Sequence, residues 1–339
     1  KSAYLKLFES SHVELTHGAA YALGNASVTS HDVFLKVMID KIDDSDQKQQ
    51  YLVLSAVREF IRCGYKTQSE RITESIPDLL PPLERHVTSD EEGIRTMVAE
   101  CLGSLASLQP NIIIPKLIEI TKTHSQIASK EGKIDEGDRQ SQVNANACCT
   151  ASTAMKLAIA GRVFCDELAD YMTPFIDLLN VEEVTVRTAV LLMIYTAAHH
   201  APQVLLTRLE VVMPHLFTLS TVKLQRRVDL GPFTHTVDDA LPIRKAVLSI
   251  FATCLDKLPG VVDAAAFMPV LASFLGDVED IQLHAHKVVT SMTQTHPAML
   301  AASVDAFLEP LEKTMKKKIP ESKTGAELER LHDWIKGAI

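Results

Sequence analysis

The chain has 339 residues, of which 46% are hydrophobic and only 5% aromatic. This composition is typical of stacked helices built from small and aliphatic side chains, and one elongated repeat domain can accommodate a chain of this length. The net charge is −9, and no apolar run is long enough to cross a bilayer, so neither a nucleic-acid nor a membrane partner is expected. The six cysteines form no C-x-x-C pair. We expect reduced thiols and a cytoplasmic and nuclear protein.

A proline recurs along the chain, followed 13 residues later by a position that opens an apolar helix and is usually basic. The pairs with this spacing are Pro82 and Arg95, Pro174 and Arg187, Pro269 and Gln282, and Pro310 and Lys323. Fixed spacing of this kind predicts a repeat protein. Two further intervals are longer, because 33 residues separate Pro115 from Cys148 and 30 separate Pro214 from Arg244.

The pattern predicts an all-α HEAT-repeat solenoid, an α-α superhelix with about eight helix pairs in a single domain and one β-hairpin insertion. The predicted repeats lie near residues 1–28, 29–66, 67–108, 109–160, 161–200, 201–258, 259–297 and 298–339. Lengths near 40 are typical of HEAT or armadillo repeats, and two helices per repeat favour HEAT. The second helix of each repeat is apolar nearly all round, as expected for a helix packed between neighbours.

The first of the longer intervals contains an insertion at residues 124–146. It includes Gly132, Gly137 and charges of both signs, but almost no apolar residue. A segment of this kind cannot bury enough surface to offset the entropy lost on ordering. We therefore predict a flexible loop there and assign it no role.

The second insertion, at residues 224–239, alternates apolar and polar residues on both sides of Gly231-Pro232. This period of two predicts a β-hairpin in which Leu230 lies opposite Phe233 and Val228 opposite His235. An isolated two-stranded hairpin is marginally stable in water, so it either rests on its own repeats as a flap or is completed by a partner.

Strand edges and rigid aromatic anchors recur in protein recognition, which favours partner contact, with Phe233 as the anchor. The residues predicted to bind a partner are Arg226, Arg227, Val228, Asp229, Leu230, Gly231, Pro232, Phe233, His235, Val237 and Asp238.

The sequence contains none of the common nucleotide, nucleophile or zinc motifs. His199-His200 and His284-x-His286 are neighbours at spacings that do not share a helix face, so we interpret them as structural residues rather than metal ligands. No catalytic residue, cofactor or metal is expected, and the chain is predicted not to be an enzyme.

Three strings carry a resemblance to a known family, and they are Tyr21-Ala22-Leu23-Gly24, VAECLG at 98–103 and LGPFTHTVDD at 230–239. With them the chain resembles, along nearly all its length, the C-terminal part of the cullin-associated and neddylation-dissociated proteins. The resemblance implies a HEAT-repeat regulator of cullin–RING ubiquitin ligases. It implies that the repeats bind the N-terminal region of an unneddylated cullin, while the hairpin overlaps the substrate adaptor's site and so promotes adaptor exchange.

The resemblance also implies a long N-terminal portion that this chain lacks and that is expected as a partner, on the same or on a separate polypeptide. Cys148 and Gln282 depart from the repeat pattern, which favours a basic residue at both places. The alternative is a general HEAT-repeat protein-binding scaffold of the transport-receptor or phosphatase-scaffold type.

Overall fold

The computed structural model describes residues 6–43, 46–126, 136–162, 167–230, 233–318 and 325–339. The chain forms two compact units, Lys1–Arg208 and Leu209–Ile339. Each is a stack of α-helices. None of the described helices is both long and apolar enough to span a membrane.

The N-terminal unit consists of helices that alternate between two layers. They are α1 (Val13–Thr29), α2 (His31–Asp43), α3 (Gln47–Thr67), α4 (Ser69–Arg85), α5 (Glu92–Leu108), α6 (Pro110–Thr123), α7 (Glu136–Ala160), α8 (Leu168–Ile176) with a 3₁₀ turn at Asp177–Asn180, α9 (Val184–His200) and the short α10 (Pro202–Leu206). Helices α1, α3, α5, α7 and α9 pack side by side in that order and form one continuous layer.

The C-terminal unit continues the same alternation and contains the hairpin. Its elements are α11 (Leu209–Leu219), β1 (Gln225–Leu230), β2 (Phe233–Asp238), α12 (Leu241–Lys257), α13 (Ala264–Leu275), α14 (Glu279–Thr295), α15 (Pro297–Met315) and α16 (Ala326–Lys336). Helix α12 packs on α14, and α13 packs on α15. Phe251 lies between Phe217 and Phe267, with ring centroids 5.2 and 4.8 Å away, so aromatic contacts link α11, α12 and α13 in the core.

The predicted all-α solenoid with one β-hairpin insertion is confirmed. The recurring prolines lie inside the first helix of the pairs, for example Pro115 in α6 and Pro269 in α13. The limits of the eight repeats stay a prediction.

The recurring basic residue has a common structural task. Arg95, Arg187 and Arg244 all lie in the first turn of a second helix. Each donates a hydrogen bond to a backbone carbonyl of the preceding turn, for example from Arg95 Nη1 to the oxygen of Ser89 at 2.6 Å and from Arg187 Nε to that of Leu179 at 3.1 Å. The side chain thus satisfies carbonyls that a tight turn would leave without partners.

The resemblance strings at 21–24 and 98–103 each contain a glycine at a close helix crossing. A Cβ atom at Gly24 would lie 2.5 Å from the carbonyl oxygen of Ala56, and one at Gly103 would lie 2.7 Å from Leu157 Cβ. Only glycine allows α1 to approach α3, and α5 to approach α7, this closely.

The prediction of a flexible loop at 124–146 is wrong for its second half, because α7 begins at Glu136. Residues 127–135 lie outside the described residues. The polar side chains that suggested a loop bind backbone and each other instead. Asn144 Nδ2 donates to the oxygen of Gln126 at 2.6 Å, Asn146 Nδ2 to that of Ser89 at 3.2 Å, and Gln142 Nε2 to Asn146 Oδ1 at 2.9 Å.

Cys148, where the repeat pattern favours a basic residue, is buried in α7, and its thiol lies 3.4 Å from the carbonyl oxygen of His124. The thiol, a weak hydrogen-bond donor, therefore contacts the preceding segment where other repeats use an arginine side chain.

Candidate partner-binding site

The hairpin forms as the alternating pattern predicts. Strands β1 and β2 pair antiparallel, with Leu230 opposite Phe233 and Val228 opposite His235. The predicted turn residues Gly231 and Pro232 lie outside the described residues. The structure describes Phe233 by its backbone, so its role as the anchor stays a prediction.

The described side chains of the ribbon face solvent on both sides. Arg226 lies opposite Val237, and Arg227 lies opposite Thr236; all four are exposed, and Val228 is half-buried. Val237 keeps 38% of its surface exposed although it is apolar. The substantial contacts of each strand are with the other strand. A two-stranded ribbon in this state offers side chains and strand edges to a partner.

The base of the hairpin is clamped by a buried arginine. Arg244 in α12 keeps 1% of its side chain exposed. Its Nη1 lies 2.8 Å from Asp238 Oδ2 and donates to the carbonyl oxygen of Val222, also at 2.8 Å. Its Nε and Nη2 bind both carboxylate oxygens of Asp277, at 2.8 and 3.0 Å. Asp277 lies in the turn between α13 and α14, so the clamp joins the hairpin to the next helix pair.

Asp238 is therefore a structural residue of the base. Its Oδ1 accepts hydrogen bonds from the backbone nitrogens of Leu224 at 2.9 Å and Ala240 at 3.1 Å. Burial acts to raise the pKa of this carboxyl, but these two hydrogen bonds and the one from Arg244 outweigh burial and lower it. The carboxylate is charged at neutral pH and is committed to contacts within the chain.

Arg226 also has a partner inside the chain. Its Nε donates to Asp239 Oδ2 at 2.7 Å, and this hydrogen bond raises the pKa of the guanidinium. Both side chains are exposed, so a partner's carboxylate can replace Asp239 at little cost.

Among the described side chains, the predicted residues of the ribbon are of two kinds. Arg226, Arg227 and Val237 are exposed, and Asp238 holds the base. Asp277 was missed by the sequence analysis because nothing local links it to Arg244, 33 positions earlier in the chain. The acidic residues just before α14 are the sequence signal that could have identified Asp277, because the other second helices also follow acidic residues.

Elsewhere, no group of three or more His, Cys, Asp or Glu side chains among the described residues could hold a metal ion. Burial raises the pKa of the Cys148 thiol to about 12 and that of the Cys254 thiol to about 11. Buried thiols of this kind stay protonated and unreactive near neutral pH.

The fold and the hairpin define a class of protein, an α-α repeat solenoid that presents a clamped β-ribbon. The solved structure of yeast importin-beta (Kap95p) shares this fold, with a TM-score of 0.68 and 12% sequence identity, over 99% of this chain and 41% of that chain. A second structure of the same karyopherin, bound to RanGDP, gives a TM-score of 0.69.

Residues 183–339 match the TIP120 family model, described as "TATA-binding protein interacting (TIP20)". The chain is 31% identical to "Cullin-associated NEDD8-dissociated protein 1" of Dictyostelium discoideum and 30% identical to that of Arabidopsis thaliana, over 98% and 99% of its length. The matches cover 26% of each relative. The chain is also 24% identical to the Emericella nidulans protein named "Cullin-associated NEDD8-dissociated protein 1, C-terminal part", over 100% of this chain and 31% of that protein.

These matches confirm the resemblance found in the sequence. The chain is related over its whole length to the cullin-associated NEDD8-dissociated proteins and spans about a quarter of the Dictyostelium and Arabidopsis relatives.

Proposed function

We propose that the chain is a non-enzymatic regulator of cullin–RING ubiquitin ligases, acting in the cytoplasm and nucleus. Its helical repeats bind the N-terminal region of an unneddylated cullin, and its hairpin competes with the substrate adaptor for the same surface. It acts together with an N-terminal portion supplied by the same or a separate polypeptide. The names of the curated relatives support association with cullins.

The exposed hairpin is the observation that supports competition with an adaptor. The ribbon presents Arg227 and Val237 to solvent, while the Arg244 clamp fixes its base. A projection with a fixed base loses less entropy on binding and occupies space that a second ligand would need. Because binding linkage is reciprocal, an adaptor that weakens cullin binding by this chain is itself weakened by the same factor. Exchange then requires no covalent chemistry.

The test is a binding titration of the chain against an unmodified cullin–RING complex, with the N-terminal portion supplied and with or without saturating adaptor. In one variant a short Gly-Ser turn replaces residues 226–237. This variant keeps Asp238, so that its contact with Arg244 is preserved. We expect the adaptor to suppress binding of the native chain, and we expect the variant to bind more weakly but without adaptor suppression.

A point variant refines the test. Val237→Asp places a charge on the exposed face of the ribbon, and we expect it to weaken cullin binding about tenfold. Val304→Asp is the matched control, because Val304 is an exposed valine on α15 outside the hairpin. Equal adaptor suppression of the native and hairpin-less chains would refute the role of the hairpin. A lack of cullin binding even with the N-terminal portion present would favour the general scaffold.

A further inference from the structure

The last helix, α16, packs on α14 and α15 and is attached by a small number of contacts. Trp334 is the buried residue of α16, with 3% of its surface exposed, and Ala338 just beyond the helix is also buried. Arg330 adds ion pairs at the surface with Glu279, at 2.8 Å, and with Asp280. A short helix held by one buried aromatic side chain, three half-buried aliphatic side chains and exposed charges is the kind of element that separates from its neighbours at low cost.

Gln282 explains why Trp334 is seated there. Its Oε1 accepts a hydrogen bond from Trp334 Nε1 at 2.6 Å and another from Thr314 Oγ1 at 3.2 Å. Lys317 lies over the indole, with its Nζ 4.6 Å from the ring centroid. At the position where other repeats place an arginine, this repeat has a buried acceptor. Glutamine in place of the basic residue at position 282 therefore helps to attach α16.

One turn further along α14, His286 is buried against the end of α16. The residue keeps 5% of its surface exposed, and neither ring nitrogen has a hydrogen-bond partner. A Cβ atom at Gly337 would lie 2.9 Å from His286 Nδ1, so the chain after α16 closes directly over the ring. Docking of α16 therefore covers most of the imidazole.

No charged group near His286 forms a hydrogen bond with its ring. The cavity beside it, of about 660 Å³, is lined by Lys287 on α14 and by Glu329, Arg330 and Asp333 on α16. Burial lowers the pKa of His286. His284 differs, because Lys287 adds to the lowering of its pKa and its ring lines another groove, with Asp256 of α12.

We propose that α16 is a pH-sensitive latch, released when His286 takes up a proton. Docking requires the neutral ring, whereas the released ring is in water and binds a proton with the ordinary pKa of histidine, about 6.5. Above that pH the docked and released forms bind equal numbers of protons at this site, and docking is at full strength. As the pH falls below it, the docking constant decreases by up to tenfold per pH unit until the docked ring itself protonates. This latch is independent of the proposed function.

The chain provides its own reporter, because Trp334 is its single tryptophan. The experiment labels the full chain with 5-fluorotryptophan and follows the ¹⁹F resonance from about pH 8 to about pH 5.5. Each spectrum is recorded at the urea concentration at which the Trp334 resonance shows half of α16 to be released at the highest pH. Far-UV circular dichroism under the same conditions separates release of α16 from unfolding of the unit. We expect the released fraction to grow below about pH 6.5 while helicity is retained.

His286→Leu removes the titrating group and should make docking independent of pH in this range. His286→Gln, a smaller change, serves if the leucine variant does not fold. His284→Leu is the matched control on the same helix and should keep the native response. A native signal that does not change with pH, or a response that persists in both His286 variants, would overturn the latch.

Discussion

Arg244 is a single side chain that joins three segments of the C-terminal unit. It binds the base of the hairpin through Asp238, the preceding turn through the carbonyl of Val222, and the following turn through Asp277. A buried guanidinium is tolerated because these acceptors meet its donors in good geometry. The same arrangement makes the residue hard to replace.

Arg244→Met should destabilise the C-terminal unit by about 3–5 kcal/mol, because it leaves the carboxylate of Asp277 buried without its partner. The measurement is urea unfolding followed by far-UV circular dichroism. The neighbouring Lys245→Met is the control, since its ion pair with Asp280 is exposed and contributes only about 0–1 kcal/mol. Similar losses in both variants would contradict the clamp.

Two glycines of α1 offer a second test at the residue scale. Gly24→Ala forces a Cβ against the backbone oxygen of Ala56, and we expect a loss of about 1–3 kcal/mol. Gly18→Ala, on the same helix, has no neighbour within 4 Å and should stabilise the helix by about 0.5–1 kcal/mol. Thermal unfolding by circular dichroism measures both. A tolerated Gly24→Ala would mean that the crossing of α1 and α3 can relax.

At the scale of elements, local signals were sufficient for the hairpin and insufficient for its attachments. Alternation around Gly231-Pro232 determines the strand register, because a hairpin forms between adjacent segments. The clamp to Asp277 could not be predicted, since it connects turns of successive helix pairs. The start of α7 was missed for a related reason. Its polar side chains resemble those of a loop, and the carbonyls that they bind belong to distant turns.

The hydrogen bond that attaches α16 to α14 can be tested at the scale of elements. Gln282→Arg restores the residue type that the repeat pattern favours, but arginine cannot accept the hydrogen bond from the indole of Trp334. We expect α16 to be released, with a red shift of Trp334 fluorescence at neutral pH. Gln294→Arg, at an exposed position of the same helix, should leave the emission unchanged. Unchanged emission in Gln282→Arg would show that this hydrogen bond is dispensable for docking.

At the scale of the whole molecule, the chain has two compact units, and within each unit the helix pairs pack mainly on their neighbours. Stability in such arrays is approximately a sum of terms for the repeats and for the interfaces between neighbours. We therefore expect Gly24→Ala to lower the unfolding midpoint seen by circular dichroism while leaving the Trp334 midpoint nearly unchanged. Arg244→Met should lower the Trp334 midpoint together with the part of the circular dichroism transition that belongs to the C-terminal unit. Identical shifts of both signals in both variants would indicate one cooperative unfolding unit.

The clamp at Arg244 also has a mechanical consequence. Because it connects the base of the ribbon to the turn before α14, a force on the ribbon is transmitted to the following helix pair. The direction of the ribbon is therefore coupled to the packing of the repeat that comes after it in the chain. A change in the packing of α13 and α14 would therefore alter the direction of the ribbon without a change in any of its residues.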